Sequence, residues 1–367
     1  MTDKIKNILV VTIMSLIMFG LFFVCLLKPA NEYSEAERRP LDQAPELSIK
    51  TVLSGDFMSK FEDYTLDQFP LRDGFRTIKS AVALFGMGQL DNNDLYIHDG
   101  YITKVEYPYK EDSIKYANDV FGGLYNKFFK DKNINTYLTI VPDKNFFLAD
   151  ESGRLSLDYE KLVSDITEGN PNFEYIDIFD KLSIEDYYLT DTHWKQENIL
   201  DIAQYLAAQM GVTLDDEYEL KEVEGEFKGV YYGQFALPVK TDTLKYLTNS
   251  TVENCIVYDH QNGKPINMYV FENATGRDPY EMFLGGALSL VTIENPNAET
   301  DKELIIFRDS FGSAIAPLFA EGYAKVTVVD IRYIQSAFLE RFIEFDDQDV
   351  LFLYSSLVLN NSSTLKR

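Results

Sequence analysis

Three kinds of hydrophobic and polar pattern run along the chain. From Ile8 to Leu27 twenty consecutive residues carry no charge, and as a helix such a run crosses a hydrocarbon core. A single membrane pass is the first expectation. A cleaved signal peptide is the alternative, opposed by the length of the run and by Lys28, which stands where a cleavage site needs a small residue. Lys4 and Lys6 favour a cytoplasmic N-terminus, although Lys28, Arg38 and Arg39 weaken that asymmetry. The expected location is the cell membrane, with the body of the protein outside the cytoplasm.

The second pattern has the helical period. Phe57, Phe61, Tyr64 and Phe69 follow it loosely until Pro70 stops them, and Ile114, Ala117, Phe121, Leu124 and Phe128 share one face of a helix over 112–129. A further stripe, Ile199, Ile202, Ala203, Leu206 and Met210, ends at Gly211 as a C-cap. Shorter helices are predicted near 158–166 and 335–345. The third pattern is the short apolar run of a strand, at 136–141, 175–179, 304–307, 325–330 and 350–354. Leu95 to Ile102 alternates around Asp99 and Gly100, a pair that favours a tight hairpin.

Strands alternating with helices at this spacing imply an α/β domain with a mainly parallel sheet and helices on both faces. The expected organisation is a tip and anchor over 1–30, a polar linker over 31–50, and an ectodomain over 51–367. An irregular or β-rich insertion at about 212–300 opens with the acidic run Asp215, Asp216, Glu217, Glu219, Glu222 and Glu224.

Charge narrows the function classes. A formal net charge of −25 argues against a nucleic-acid surface, which requires clustered Lys and Arg. Cys25 and Cys255 are the two cysteines, and with Cys25 inside the apolar run an intramolecular disulfide is not expected. No histidine–carboxylate spacing matches a helical zinc motif, so neither a metal nor a cofactor is expected.

Chemistry concentrates at two places. In KELIIFRDSFGSAIAPLF the strand-like run breaks at Arg308, Asp309 and Ser310 into a predicted helix. Ser310 is thus placed at the carboxyl end of a strand, where α/β sheets bind ligands and backbone N–H groups can hold an oxyanion. Pro317 should interrupt that helix. Far upstream, Asp191 precedes His193 by two residues, and in extended backbone the two would project to one side, giving a base with its orienter. A bland reading also stands, with Asp191 and Thr192 capping a helix and Ser310 serving as an N-cap. Lys144, Arg308 and Arg332 follow or end strands and are candidates for oxyanion or substrate binding, together with the N–H of Phe311.

With these residues in hand, a resemblance emerges. DTHW at Asp191 to Trp194, RDSFGSAIAPLF and VVDIRYI downstream, and YSEAERRPL with LSGDFMSKFEDYTLDQFPLRD near the start resemble the DHHW proteins and the AlgX- and AlgJ-like alginate O-acetyltransferases, relatives of SGNH hydrolases. Thr192 departs from the DHHW motif, and Arg308 stands where the SGNH serine block has glycine. The resemblance implies an SGNH-hydrolase-like, flavodoxin-type sheet in permuted order, with Ser310 as nucleophile, His193 as base and Asp191 as orienter. It further implies an O-acyltransferase, most simply an O-acetyltransferase, acting on a surface or secreted polysaccharide. The acyl group would arrive from a membrane-bound acyltransferase. A deacetylating carbohydrate esterase with the same triad, or a catalytically silent glycan-binding protein, are the rival expectations.

Overall fold

The computed structural model describes residues 2–214 and 217–367; Asp215 and Asp216 of the acidic run lie outside them. The chain divides into two compact units. One comprises Met1–Asn93 with Tyr232–Pro238, and the other Asp94–Tyr231 with Val239–Arg367.

The first unit begins with α1 (Asp3–Leu27), long and apolar enough to cross a membrane; its 25 residues span about 37 Å at the usual rise. The stretch expected as a linker folds back on itself, with Tyr33–Ser34 paired antiparallel to Arg39–Pro40. Three helices follow: α2 (Ile49–Ser54), α3 (Asp56–Asp67) and α4 (Arg72–Ala81). Ser48 and Thr51 form a reciprocal capping box on α2. As expected, α3 gives way just before Pro70.

The second unit is built on an eight-stranded sheet. Its strands are β1 (Asn135–Val141), β2 (Glu174–Tyr175), β3 (Ile256–Asp259), β4 (Lys264–Ile266), β5 (Leu290–Glu294), β6 (Glu303–Arg308), β7 (Lys325–Val329) and β8 (Asp349–Ser355). Their spatial order is β4-β3-β5-β7-β6-β8-β1-β2. Contacts from β7 through β2 are parallel and those from β4 to β7 antiparallel. Thus the 212–300 stretch supplies three antiparallel strands that widen a parallel core.

The near-continuous apolar runs of β6 and β8 follow from burial on both faces. Leu304, Ile306, Leu351 and Leu353 enter one core, shared with Ile202 and Leu206 of α8, whereas Ile305, Phe307, Val350 and Phe352 enter the other, shared with Phe121 and Leu162 of α5 and α7. Those helices are α5 (Glu111–Leu124), α6 (Lys144–Ser152), α7 (Tyr159–Gly169) and α8 (Leu200–Gln209). The result is the expected α/β architecture with helices on both sheet faces.

Two elements are shorter than the sequence predicts. The strand expected at 175–179 ends at Tyr175, because the Asp177 carboxylate accepts from the Phe179 N–H and turns the chain. The helix expected at 335–345 is a 3₁₀ turn, Ser336–Arg341, in which Leu339 alone is buried. Ile343 and Phe345 join Leu339 in the core from irregular backbone beyond that turn, so burial here does not require a longer helix. The Leu95–His98 and Tyr101–Lys104 hairpin forms as expected, with Asp99 and Gly100 both at positive φ.

Candidate active site

Ser310 follows β6 at the carboxyl edge of the parallel strands. The next turn is short: α9 (Gly312–Ile315) passes directly into a 3₁₀ helix, Ala316–Glu321, around Pro317. Asp309 organises this corner. Its Oδ1 accepts from the Phe311 N–H (3.0 Å), and its Oδ2 accepts from the Ser355 N–H (2.8 Å) and hydroxyl (2.6 Å) at the end of β8. Close packing explains the glycine that follows, since a β-carbon at Gly312 would lie 2.5 Å from Arg308 Cβ.

His193 reaches Ser310 from the other half of the motif. Tyr187 and Trp194 bridge antiparallel, and the five-residue bend before Trp194 carries Thr190, Asp191 and His193. His193 Nε2 lies 2.7 Å from Ser310 Oγ, and His193 Nδ1 lies 2.6 Å from Asp191 Oδ1. The backbone is not extended here. Asp191 Oδ1 also accepts from the His193 N–H (3.1 Å), so a side-chain turn, rather than strand alternation, brings the carboxylate to the ring. Asp191 Oδ2 accepts from the Val230 N–H at 2.8 Å. Asp191 is 1 % exposed and His193 8 %, while Ser310 is half-buried.

The two halves are tied together twice. Trp194 Nε1 donates to the Phe311 carbonyl (3.0 Å) and Gln196 Nε2 to the Ala314 carbonyl (2.6 Å). Each bond crosses more than a hundred residues of chain and fixes the histidine loop against the serine turn. Two further contacts had no recognisable sequence signal. Tyr280 lies flat on His193, with ring centroids 3.9 Å apart and planes 4° from parallel. Burial, then the nearby Asp191 charge, pushes its phenol well above the ordinary value, so it packs as a neutral ring. Gly229 approaches Asp191 so closely that an added β-carbon would stand 2.3 Å from Asp191 Cβ. One tyrosine among 24 carries no mark of such a role.

The oxyanion and substrate candidates fare differently. The Phe311 N–H is taken by Asp309, so it does not face an oxyanion; among the described residues no acceptor meets the Ser310 N–H, which remains the available donor. Arg308 is fully buried, with its guanidinium on the Gly286 carbonyl (3.1 Å), the Asp309 carbonyl (3.3 Å) and Asp330 (3.4 Å). Arg332 directs Nε and Nη2 at the same Asp330, at 2.9 and 2.7 Å. Both arginines therefore brace the end of β7 through Asp330. The expectation that Arg308 meets substrate is corrected, because burial and these carbonyls occupy it. Among the described residues His98 and Asp99 at the hairpin tip, with Glu151 on α6, offer clustered ligand atoms for a metal. His260 instead packs on Phe342 and meets the Thr292 hydroxyl.

Lys144 grips the loop that carries Asp191 and His193 rather than facing an oxyanion. Its Nζ donates to the Tyr188 carbonyl (3.0 Å) and the Leu189 carbonyl (3.3 Å), and it lies 5.2 Å from the centre of the Tyr231 ring. Burial pushes its ammonium down to about 7, against the opposing charges of Asp191 and Asp242. An unfolded lysine holds its proton until about pH 10.4. Between those values the unfolded state binds more protons, so this group's contribution to stability rises with pH from about 7 to about 10.4. Urea unfolding of Lys144→Met should therefore show its stability relative to wild type falling steadily across that window. A pH-independent difference would contradict a neutralising Lys144.

No protein-family model and no curated protein sequence matches the chain. Solved structures do. A DHHW family protein from Eubacterium siraeum aligns with a TM-score of 0.58 at 22 % identity, covering 74 % of this chain and 93 % of that one. PatB1 of Bacillus cereus aligns with a TM-score of 0.59 at 16 % identity, covering 72 % of this chain and 96 % of its own. The same protein carrying a sulfonyl adduct aligns at 0.58, with 16 % identity over 72 % of this chain and 97 % of that one. The chain therefore has the SGNH-like α/β fold of the DHHW family protein and of PatB1, with an apolar helix at its N-terminal side.

Proposed function

We propose that the protein is a membrane-tethered, extracytoplasmic O-acyltransferase of the DHHW kind, transferring acetyl groups to hydroxyls of a cell-surface or secreted polysaccharide. The observation that carries this reading is the continuous relay from Asp191 Oδ1 through the His193 ring to Ser310 Oγ, with contacts of 2.6 and 2.7 Å. In the first step Ser310 Oγ bonds to the donor's carbonyl carbon as its proton passes to His193 Nε2. The leaving group departs with that proton, and the acetyl remains as a serine ester. In the second step a sugar hydroxyl attacks the ester, its proton goes to His193, and Ser310 regains a proton as it leaves. In this reading the Ser310 N–H receives the developing oxyanion. Acetyl donors made in the cytoplasm lie across the membrane, so the reading includes a membrane-bound acyltransferase that delivers the acyl group.

Incubating the full chain with a chromogenic acetyl ester and an oligosaccharide acceptor tests the proposal. Acetylated sugar should form, and a sulfonyl fluoride should block it while modifying Ser310 alone. Free acetate with no acetylated sugar would make the protein an esterase. Absence of any modification at Ser310 in folded protein would leave a glycan-binding role.

A further inference from the structure

Helix α4 is inside out. Leu71 at the N-cap, then Phe75, Ile78, Val82 and Phe85 along α4 and the π-helical turn that continues it (Val82–Gly86), recur at steps of four and three, and all five are between 46 % and 79 % exposed. The opposite side carries the polar contacts. Arg72 pairs with Glu37, Arg76 donates to the Gly233 carbonyl (2.7 Å), and buried Ser80 accepts from Asn92 (2.8 Å). An amphipathic helix ordinarily buries its apolar stripe, and a contiguous exposed one marks a surface that something covers.

The chain path says what lies beside it. Three residues, Lys28, Pro29 and Ala30, separate the end of α1 from Asn31. Asn31 is joined to buried Gln68 by two bonds of 2.8 Å, N–H to Oε1 and Nε2 to the Asn31 carbonyl. Gln68 stands three residues before Leu71, the first residue of the stripe. Even fully extended, the link from Leu27 to Asn31 spans only about 14 Å. The stripe thus starts close to where the apolar helix ends. Steps of four and three also suit a helix–helix seam, but such a seam draws on charged flanking positions. Here one flank consists of Gly74, Ala81 and Gly88, and on the other Arg72 is engaged by Glu37, Lys79 donates to the Asn93 side chain (3.0 Å) and Gly86 follows.

We infer that the exposed stripe of α4 lies on the lipid bilayer, docking the first unit against the outer surface of the membrane that α1 spans. The inference rests on α1 as an uncleaved anchor, not on the chemistry of Ser310. Burying Phe75, Ile78, Val82 and Phe85 at the headgroup boundary removes their apolar surface from water, and α1 supplies the second attachment that a short interfacial helix needs.

The test uses full-length protein with Cys25→Ser and Cys255→Ser, reconstituted in vesicles of phosphatidylethanolamine and phosphatidylglycerol. Single cysteines replacing Ile78, Phe85, Lys115 or Ser15 carry an environment-sensitive fluorophore, and lipids brominated at different depths quench it. Labels at Ile78 and Phe85 should read ~5–10 Å below the headgroup boundary. The label at Lys115, on the exposed side of α5, should read aqueous, and that at Ser15 deep in the bilayer. Aqueous readings at 78 and 85 would overturn the inference. So would shielding there without lipid quenching but with disulfide-linked dimers through Ile78→Cys, which would assign the stripe to a second copy. A shallow reading at Ser15 would remove its premise.

Discussion

Asp191→Asn is expected to lower acyl turnover by about 10³–10⁴-fold, or ~4–5.5 kcal/mol in the transition state, in a protein that remains folded. Both carboxylate oxygens face donors: Oδ1 meets the ring and N–H of His193, and Oδ2 meets the Val230 N–H. An amide cannot satisfy both sides. If its oxygen faces the imidazole, its NH₂ opposes the Val230 N–H. If its NH₂ faces the imidazole, His193 must carry its proton on Nε2, the atom that should accept from Ser310. Steady-state hydrolysis of an acetyl ester, with circular dichroism to establish folding, measures the effect. A loss smaller than tenfold would mean that Asp191 does not set the tautomer.

The second large effect concerns stability. Asp330→Asn is expected to cost about 3–5 kcal/mol, because it removes the carboxylate paired with both Arg308 and Arg332 and breaks a buried ion pair. Arg308 is 1 % exposed and Asp330 0 %. Burial pulls the Arg308 guanidinium down while the Asp330 charge opposes that shift. Adding Arg308→Met to Asp330→Asn should recover part of the loss, since an apolar side chain does not need the missing anion. Urea midpoints of wild type, both single variants and the double variant close the cycle. A double variant less stable than Asp330→Asn would show that the long aliphatic stem and carbonyl bonds of Arg308 matter more than its charge.

Much of this was legible in the chain because burial and turn chemistry are local. The buried strands β6 and β8 read as unbroken apolar runs, and Asp99-Gly100 specified a hairpin through its need for positive φ. Pro317 announced the break between α9 and the 3₁₀ turn. The pairing of Asp191 with His193 was anticipated, although by strand alternation, whereas the structure achieves it through a side-chain turn. Tyr280 and Gly229 escaped notice because their roles depend on where the 212–300 segment and its neighbour return in space, a matter of tertiary packing alone. Arg308 looked available because its sequence position adjoins Ser310, yet burial beside Asp330 decided its role. The exposed stripe of α4 was concealed by the same periodicity that marks an ordinary core-facing helix.

The place of β8 between β6 and β1 also governs how the corner around Ser310 comes into being. The middle of the parallel sheet is filled by a strand that follows both of its neighbours in the chain, and Ser355 at its end completes the hydrogen bonds of Asp309 beside Ser310. Until β8 docks, β6 and β1 are open edges with an unfilled slot between them, and pairings of such long sequence separation form slowly. A nascent chain that already displays His193 and Ser310 therefore lacks the strand that sets their corner. The corner that holds Ser310 against His193 is therefore set only when β8 has entered between strands that precede it in the chain.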